Sequence, residues 1–338
     1  MPRRSLGSPH FRVEPIARGV HAAIATEGGY GLCNSGIVDL GGLTVVFDTM
    51  LTPFAGADLR RAAERLTGRR PDFIVNSHWH GDHIRGNSAF APVQVVSSRA
   101  TRAVLARRGP KQLADDRRTF PKELARVNDP NSAVPARDRP MYRGWFEGVL
   151  ATPRSFRLLL PDVTFEDRLT IEGSRRSIDL ITYGGGHSPS DVFARLPEDR
   201  IVFLGDLVNV GMHPSVSDGY PDRWVEILRR IRALRPEQVV PGHGGVGGVA
   251  EIRAVESYFR DLRALVLGAR RMGGARAGLA ALEIPRRYSD WKFAEFFPHN
   301  LRRVREMLPR PVATVRDAPG GDRRRGARPR RQSTTRRS

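Results

Sequence analysis

The stretch Ser77-His78-Trp79-His80-Gly81-Asp82-His83 places three imidazoles and a carboxylate within six residues. It follows a short apolar run at 72–76, which predicts a β-strand that ends at this point. Side chains at positions i and i+2 diverge on a helix, but they can converge on one point from an extended segment that leads into a turn. One tetrahedral ion cannot use all four groups once ligands from elsewhere join them. The stretch therefore predicts a metal site for more than one ion.

Three more candidate ligands follow predicted strands later in the chain. They are His187 after residues 178–183, Asp206 after residues 201–204 and His243 after residues 238–240. Side chains at the ends of neighbouring strands collect at one edge of a sheet, where rigid elements position them. Glycines stand beside each candidate and let the backbone pass close to bound ions. Together with the first stretch, these residues predict one metal centre at a sheet edge.

The order of elements predicts two β-sheets packed face to face with helices outside them. Residues 109–152 interrupt the strands, and their charge and prolines predict an insertion or lid beside a cleft. The helix before this insertion is expected to run from Arg99 to about Arg108, and the insertion itself is expected to be partly helical. The predicted parts of the chain are a flexible leader (1–10), a main domain (11–308) with C-terminal helices (249–308), and a disordered arginine-rich tail (309–338).

The composition sets broader limits. The formal net charge of the 338 residues is +20, and residues 316–338, with nine arginines against Asp317 and Asp322, contribute +7 of it. Such a tail allows non-specific contact with nucleic acid, although a solvated surface explains the same charge. No apolar run approaches the roughly 20 residues needed to span a bilayer, and no export signal opens the chain. We therefore expect a cytoplasmic protein without a membrane partner. The single cysteine, Cys33, excludes an intramolecular disulfide.

The run His78-Trp79-His80-Gly81-Asp82-His83 resembles the HxHxDH signature of the metallo-β-lactamase superfamily, and His187, Asp206 and His243 match its later ligands in order and context. The resemblance extends over about residues 11–248. It implies an α+β fold, a four-layer αβ/βα sandwich with a dinuclear site at one edge. By this likeness His78, His80 and His187 hold one ion, Asp82, His83 and His243 hold the other, and Asp206 bridges both. Ligation by nitrogen and oxygen alone favours two Zn²⁺ ions and is compatible with Mn²⁺ or Fe.

Ligand identities favour some branches of the superfamily. His80 is not a glutamate, which argues against the di-iron flavoproteins. Asp206 replaces the cysteine or serine of true β-lactamases and resembles the glyoxalase II, lactonase and ribonuclease Z branches. The stretch 186–191 lacks the second histidine expected of a glyoxalase II, which argues against that particular substrate.

The expected function is therefore a hydrolase of a small ester, thioester, lactone or related carbonyl substrate. Two divalent ions about 3.5–4 Å apart lower the pKa of a shared water, so that a bridging hydroxide attacks the substrate. Asp82 is expected to orient this nucleophile and to assist proton transfer, besides binding metal. Three alternatives stay open: a ribonuclease Z-like phosphodiesterase that acts on nucleic acid, a β-lactamase-like activity, and a non-catalytic binding module.

Two residues are weaker candidates. His213 follows Asp206 closely and is expected to reach the cleft, either to bind substrate or as a structural residue. Asp191, four residues after His187, is expected to orient a ligand imidazole by contact with the ring nitrogen that does not bind metal, with a helix or turn cap as the alternative.

Overall fold

Short runs rich in Val, Ile, Leu and Phe form the strands of two sheets. The computed structural model describes residues 6–271 and 277–308, which contain twelve strands. The first sheet, in spatial order, consists of β1 (Phe11–Ala17), β2 (Val20–Ala25), β3 (Ser35–Asp39), β4 (Thr44–Phe47), β5 (Phe73–Val75), β6 (Gln94–Ser98) and β7 (Val163–Phe165). The second sheet consists of β8 (Arg168–Glu172), β9 (Ser177–Thr182), β10 (Val192–Leu196), β11 (Ile201–Phe203) and β12 (Gln238–Val240).

Each sheet changes from antiparallel to parallel pairing. Strands β1 to β4 pair antiparallel, whereas β4, β5, β6 and β7 run parallel to one another. In the second sheet only the β11–β12 pair is parallel. Parallel neighbours end at the same edge, so the residues that follow β4 and β5 lie close together, as do those that follow β11 and β12.

Eight α-helices lie within the described residues. They are α1 (Pro53–Thr67), α2 (Gly81–Ile84), α3 (Arg99–Asn128), α4 (Arg139–Ala151), α5 (Pro221–Ala233), α6 (Val249–Arg271), α7 (Ala277–Ala280) and α8 (Phe296–Met307). Thr52 caps the first turn of α1 by accepting a hydrogen bond from the amide of Ala55, and Gly68 ends this helix in the left-handed conformation. The buried face of α1, which includes Leu59 and Ala62, packs on one side of the first sheet.

The main core lies between the two sheets. Val38, Val45 and Phe47 of the first sheet pack against Leu180 and Phe203 of the second, in a cluster of eighteen buried residues. Helix α1 covers the outer face of the first sheet, while α6 contacts β12 and packs against α5. These four layers confirm the predicted αβ/βα sandwich and its α+β class.

The predicted end of a helix near Arg108 is wrong. Helix α3 continues for 30 residues, through Pro110 and Pro121. Each proline removes a backbone donor and is unfavourable inside a helix. Tertiary packing outweighs this cost, because Leu113 and Phe120 on one face of α3 pack in a buried cluster with α4. The predicted insertion 109–152 thus consists largely of the end of α3 and all of α4.

The termini were predicted to be irregular. His10, which the sequence places in the leader, stacks on Tyr30 and accepts a hydrogen bond from its amide through Nδ1 at 3.1 Å. The predicted tail at 309–338 lies outside the described residues, as do residues 1–5. Among the helices of the described chain, none is both long and apolar enough to cross a bilayer.

Gly36 of β3 provides a test of the packing between the sheets. An ideal Cβ at this position would lie 2.5 Å from Cε1 of Phe203, so the ring must move to admit even a methyl group. We expect Gly36→Ala to lower the free energy of unfolding by about 1–3 kcal/mol, measured by urea denaturation. In the matched control, Gly268→Ala in α6, the new methyl meets open space, and stability should rise by about 0.5–1 kcal/mol. Equal stability of Gly36→Ala and the unmodified protein would contradict this account of the core.

Candidate metal centre

The metal-binding stretch changes conformation within a few residues. Strand β5 ends at Val75, and His80 still has an extended backbone, with φ −67° and ψ 145°. The single turn of α2 begins at the next residue and carries Asp82 and His83. The extended part and the helical turn therefore present four side chains to a shared region, as the sequence predicted from spacing.

Three imidazoles meet in a first group. Nδ1 of His80 lies 3.0 Å from Nε2 of His78 and 2.9 Å from Nε2 of His187. A carboxylate oxygen of Asp206 completes this group, whose ligand atoms all lie within 4.8 Å of one another. Three ring nitrogens so close together cannot all be satisfied by hydrogen bonds among themselves, because a neutral imidazole carries one proton.

Asp82, His83 and His243 form a second group, whose ligand atoms also lie within 4.8 Å of one another. Oδ2 of Asp82 lies 3.3 Å from Nε2 of His243 and 3.5 Å from Nε2 of His83. Asp206 stands between the two groups. Its Oδ1 lies 3.1 Å from Nε2 of His83, and its Oδ2 lies 3.3 Å from Nε2 of His187. The structure thus brings all seven predicted ligands together, with Asp206 facing both sides.

Burial and charge give the two groups different character. Burial lowers the pKa of His187 to about 3, and burial and neighbouring imidazoles hold the pKa of His78 well below its usual value. Burial alone would raise the pKa of Asp82, but His83 and His243 lower it well below the usual range. Burial therefore keeps His78 and His187 neutral, and Asp82 stays ionised. Burial would lower the pKa of His243, but Asp206 and Asp82 raise it to about 10, so a cation must displace a proton there.

Buried Asp48, which the sequence analysis missed, organises the metal-binding stretch. Its Oδ1 accepts a hydrogen bond from the amide of Ser77 at 2.7 Å, and its Oδ2 accepts from Ser77 Oγ at 2.8 Å and from His83 Nδ1 at 2.7 Å. Ser77 Oγ in turn accepts from Nδ1 of His78 at 2.9 Å. Both imidazoles are thereby held with Nδ1–H directed at these acceptors and with Nε2 directed into the site.

Two other ligands are oriented in a similar way. His243 donates from Nδ1 to the carbonyl of Leu32 at 3.0 Å, which directs its Nε2 at the centre. Nε2 of His80 lies 3.5 Å from Oδ2 of Asp218, which leaves Nδ1 for the first group. Four of the five ligand imidazoles therefore have an acceptor beside the nitrogen that faces away from the site. This arrangement fits bound metal, because a ring nitrogen of each of these residues already faces the centre and becomes a ligand once any proton on it is displaced.

Close packing of backbone also shapes the site. An ideal Cβ on Gly242 would lie 2.1 Å from Oδ1 of Asp206, so only glycine allows this approach beside His243. The side-chain amide of Asn34 donates to the carbonyls of Pro241 and Gly244 at 3.0 and 2.8 Å. These contacts hold the turn that carries His243.

Helix α3 contacts the centre at two places, two turns apart. Arg108 Nη1 lies 3.0 Å from Oδ1 of Asp218, the residue beside His80, and its guanidinium also lies over the ring of Trp79. Asp116 forms an ion pair with the buried Arg85, whose side chain packs directly on Gly81. Helix α3, and through Asp116 the insertion, is therefore attached to residues in and beside the metal-binding stretch.

The two weaker candidates have different surroundings. The carboxylate of Asp191 accepts hydrogen bonds from the amides of Gly186 and Ser188, at 2.7 and 3.1 Å. It thus stabilises the turn around His187 through the backbone, so the interpretation as a partner of the imidazole is wrong and the turn-cap alternative fits. His213 lies at the cleft wall, with Nδ1 3.0 Å from Tyr258 Oη, and burial lowers its pKa to about 4. Its contact with substrate stays a prediction.

The two groups open into a cleft of about 240 Å³. Five ligand residues line its base: His80, Asp82, His187, Asp206 and His243. Apolar side chains line the same cleft: Leu32, Met141, Tyr142, Trp145, Met212, Phe293 and Phe296. A small molecule that reaches the candidate ligands therefore also meets apolar side chains.

Asp48 provides a test of how the ligands are oriented. Asp48→Asn keeps the size of the side chain but places an NH₂ donor against either the amide of Ser77 or Nδ1–H of His83. We expect the affinity for Zn²⁺, measured by competition with a chelator, to fall about 10–100-fold. The control is Asp72→Asn at the other end of the β4–β5 pair, where Oδ2 accepts a hydrogen bond from the amide of Thr44. This control should leave Zn²⁺ affinity unchanged, and equal affinities of all three proteins would contradict the role of Asp48.

Comparison with known proteins gives one partial sequence match and several structural ones. A metallo-β-lactamase type 2 from Bacteroides fragilis is 31% identical over 96 residues, which are 27% of this chain and 39% of that relative. A metallo-β-lactamase structure from Pontibacter korlensis, 21% identical, has a TM-score of 0.54 and covers 74% of this chain and 99% of its own. The mono-zinc form of FIM-1 from Pseudomonas aeruginosa, 14% identical, has a TM-score of 0.53 and covers 75% and 96%. These structural matches show the same fold.

The family profile matches a longer part of this sequence than the 96 residues aligned with the Bacteroides fragilis relative. The profile of the metallo-β-lactamase superfamily matches residues 28–243, a range that begins before Asp48 and ends on the last of the seven candidate ligands. The chain therefore belongs to the metallo-β-lactamase superfamily, whose homologues are hydrolases.

Proposed function

We propose that the chain is a metal-dependent hydrolase with a dinuclear centre, that zinc is its metal, and that it cleaves a small ester, thioester, lactone or related carbonyl substrate. The observation that carries this proposal is the orientation of the imidazoles. The outward nitrogens of His78, His83 and His243 lie beside acceptors, so their inward nitrogens are directed into the site, where they become ligands once any proton is displaced. Nitrogen and oxygen ligands suit zinc, and one solved relative is described as a mono-zinc form.

When bound, the ions supply Lewis acidity, which polarises a substrate carbonyl and makes water more acidic. The protein's own residues then bind, orient and move protons. Asp82 is the carboxylate best suited to orient the attacking water and accept its proton, because its side chain is 18% exposed and lines the cleft, against 9% for Asp206. Its low pKa keeps it ionised and able to accept a hydrogen bond.

The cleft supports a small carbonyl substrate over a nucleic acid. Its volume of about 240 Å³ is below the roughly 300–1,000 Å³ common for drug-sized ligands. Arg85 is the one arginine among the described residues that line it, and Asp116 is its ion-pair partner. A phosphodiester backbone would be expected to require several unpaired cations there. The aspartate at position 206 favours the glyoxalase II, lactonase and ribonuclease Z branches over true β-lactamases, so the preference for a small carbonyl substrate over a nucleic acid rests on the lining of the cleft.

Metal content and substrate range test this proposal directly. We expect about two zinc ions per chain by elemental analysis after reconstitution, together with turnover of p-nitrophenyl acetate, a thioester and a lactone. Asp82→Ala should lower kcat by about 10²–10⁴-fold, because proton transfer and nucleophile orientation are lost. The control is Asp222→Ala, which removes the same charge from a side chain that is 65% exposed on α5 and should leave kcat unchanged.

Other outcomes of the same assay separate the alternatives. Cleavage of bis-p-nitrophenyl phosphate without any carbonyl substrate would favour the phosphodiesterase, and cleavage of a β-lactam alone would favour the β-lactamase-like activity. Failure to retain metal after reconstitution would overturn the proposed centre.

A further inference from the structure

Four aromatic side chains form a continuous surface in the cleft that the candidate ligands also line. Tyr142 and Trp145 belong to α4, Phe296 begins α8, and Phe293 precedes it. The rings of Tyr142 and Trp145 stack with centroids 6.4 Å apart, Phe293 meets Tyr142 edge-on at 5.2 Å, and Phe296 stacks on Phe293 at 5.5 Å. We call these four residues the aromatic wall.

Polar contacts around the aromatic wall fix its two chain segments together. The hydroxyl of Tyr142 donates to a carboxylate oxygen of Glu295. The amide of Phe293 donates to Oδ2 of the buried Asp138, at 3.3 Å, and Arg137 donates to the carbonyl of Trp291 at 3.0 Å. The rings are thus held in place before any ligand enters, which reduces the entropy lost on binding.

The chemistry of the aromatic wall favours an apolar ligand. The hydroxyl of Tyr142 already has its partner in Glu295, so the wall presents ring faces and edges rather than hydrogen-bonding groups to the cleft. Met141 and Met212, which adapt to ligands of varied shape, also line the cleft. The charges of Arg85 and Asp116 compensate each other within the same cleft.

We propose that the aromatic wall binds the acyl or aryl part of the substrate, and that the preferred substrates carry a hydrophobic acyl group of several carbons. This inference rests on the proposed hydrolase function, because the candidate ligands and the wall line one cleft, so a substrate whose carbonyl is held by the metal centre would have its acyl group within that cleft. Each methylene buried against the rings is expected to raise kcat/KM by up to about fourfold.

A series of p-nitrophenyl esters from acetate to octanoate tests the inference in the zinc-loaded protein. We expect kcat/KM to be at least about tenfold higher for octanoate than for acetate. Phe296→Ala and Trp145→Ala should each reduce this ratio several-fold, and Phe296→Leu, which keeps an apolar side chain, should reduce it less. The control is Phe54→Ala, an aromatic residue of α1 that is 43% exposed and outside the cleft lining, and it should keep the ratio unchanged. A ratio near one, or a high ratio that the wall variants leave unchanged, would overturn the inference.

A binding measurement separates failure of this inference from failure of the hydrolase proposal. The dissociation constants of acetohydroxamic and octanohydroxamic acid for the zinc-loaded protein, measured by calorimetry, need no turnover. Tighter binding of the octano compound, reduced in Phe296→Ala, would support the aromatic wall even if no ester is cleaved. Equal binding of both compounds would overturn it, even if short esters are hydrolysed.

Discussion

The centre depends most on the hydrogen bonds that the buried carboxylate of Asp48 accepts. It lies at the end of β4, beside the end of the parallel strand β5, and accepts three hydrogen bonds from Ser77 and His83. A buried carboxylate is costly unless such donors satisfy it, so the contacts are mutually required. Through them one side chain fixes the start of the metal-binding stretch, the ring of His83 and, by way of Ser77, the ring of His78.

The sequence predicted the residues of the site better than it predicted their supports. The ligands of the HxHxDH stretch are close in the chain, and His187, Asp206 and His243 follow apolar runs that end at one edge, so local pattern and strand order were sufficient. Asp48 is about thirty residues from its partners and has no spacing relation to them. Its signal was available nonetheless, because it ends an apolar run whose strand neighbours β5 in parallel.

The remaining differences arise from tertiary structure. The sequence analysis predicted that the helix ends near Arg108, whereas packing against α4 extends α3 to Asn128. The apolar residues Leu113, Phe120 and Val127, spaced seven apart, were the signal for the longer helix. Asp191 was expected to contact a ligand imidazole, whereas its carboxylate accepts hydrogen bonds from the backbone amides on both sides of His187. The two sheets followed from the order of strands and helices, because elements with an apolar face must pack that face against another layer.

The aromatic wall draws half of its rings from a part of the chain that the family profile does not reach. Phe293 and Phe296 lie beyond residue 243, while all seven candidate ligands lie within the matched range. If the wall selects the acyl group as proposed, half of that selection is encoded outside the portion of the gene that encodes the candidate ligands. Descendants of this protein can acquire new substrates by changes near its C-terminal helices and still inherit an unaltered set of ligands.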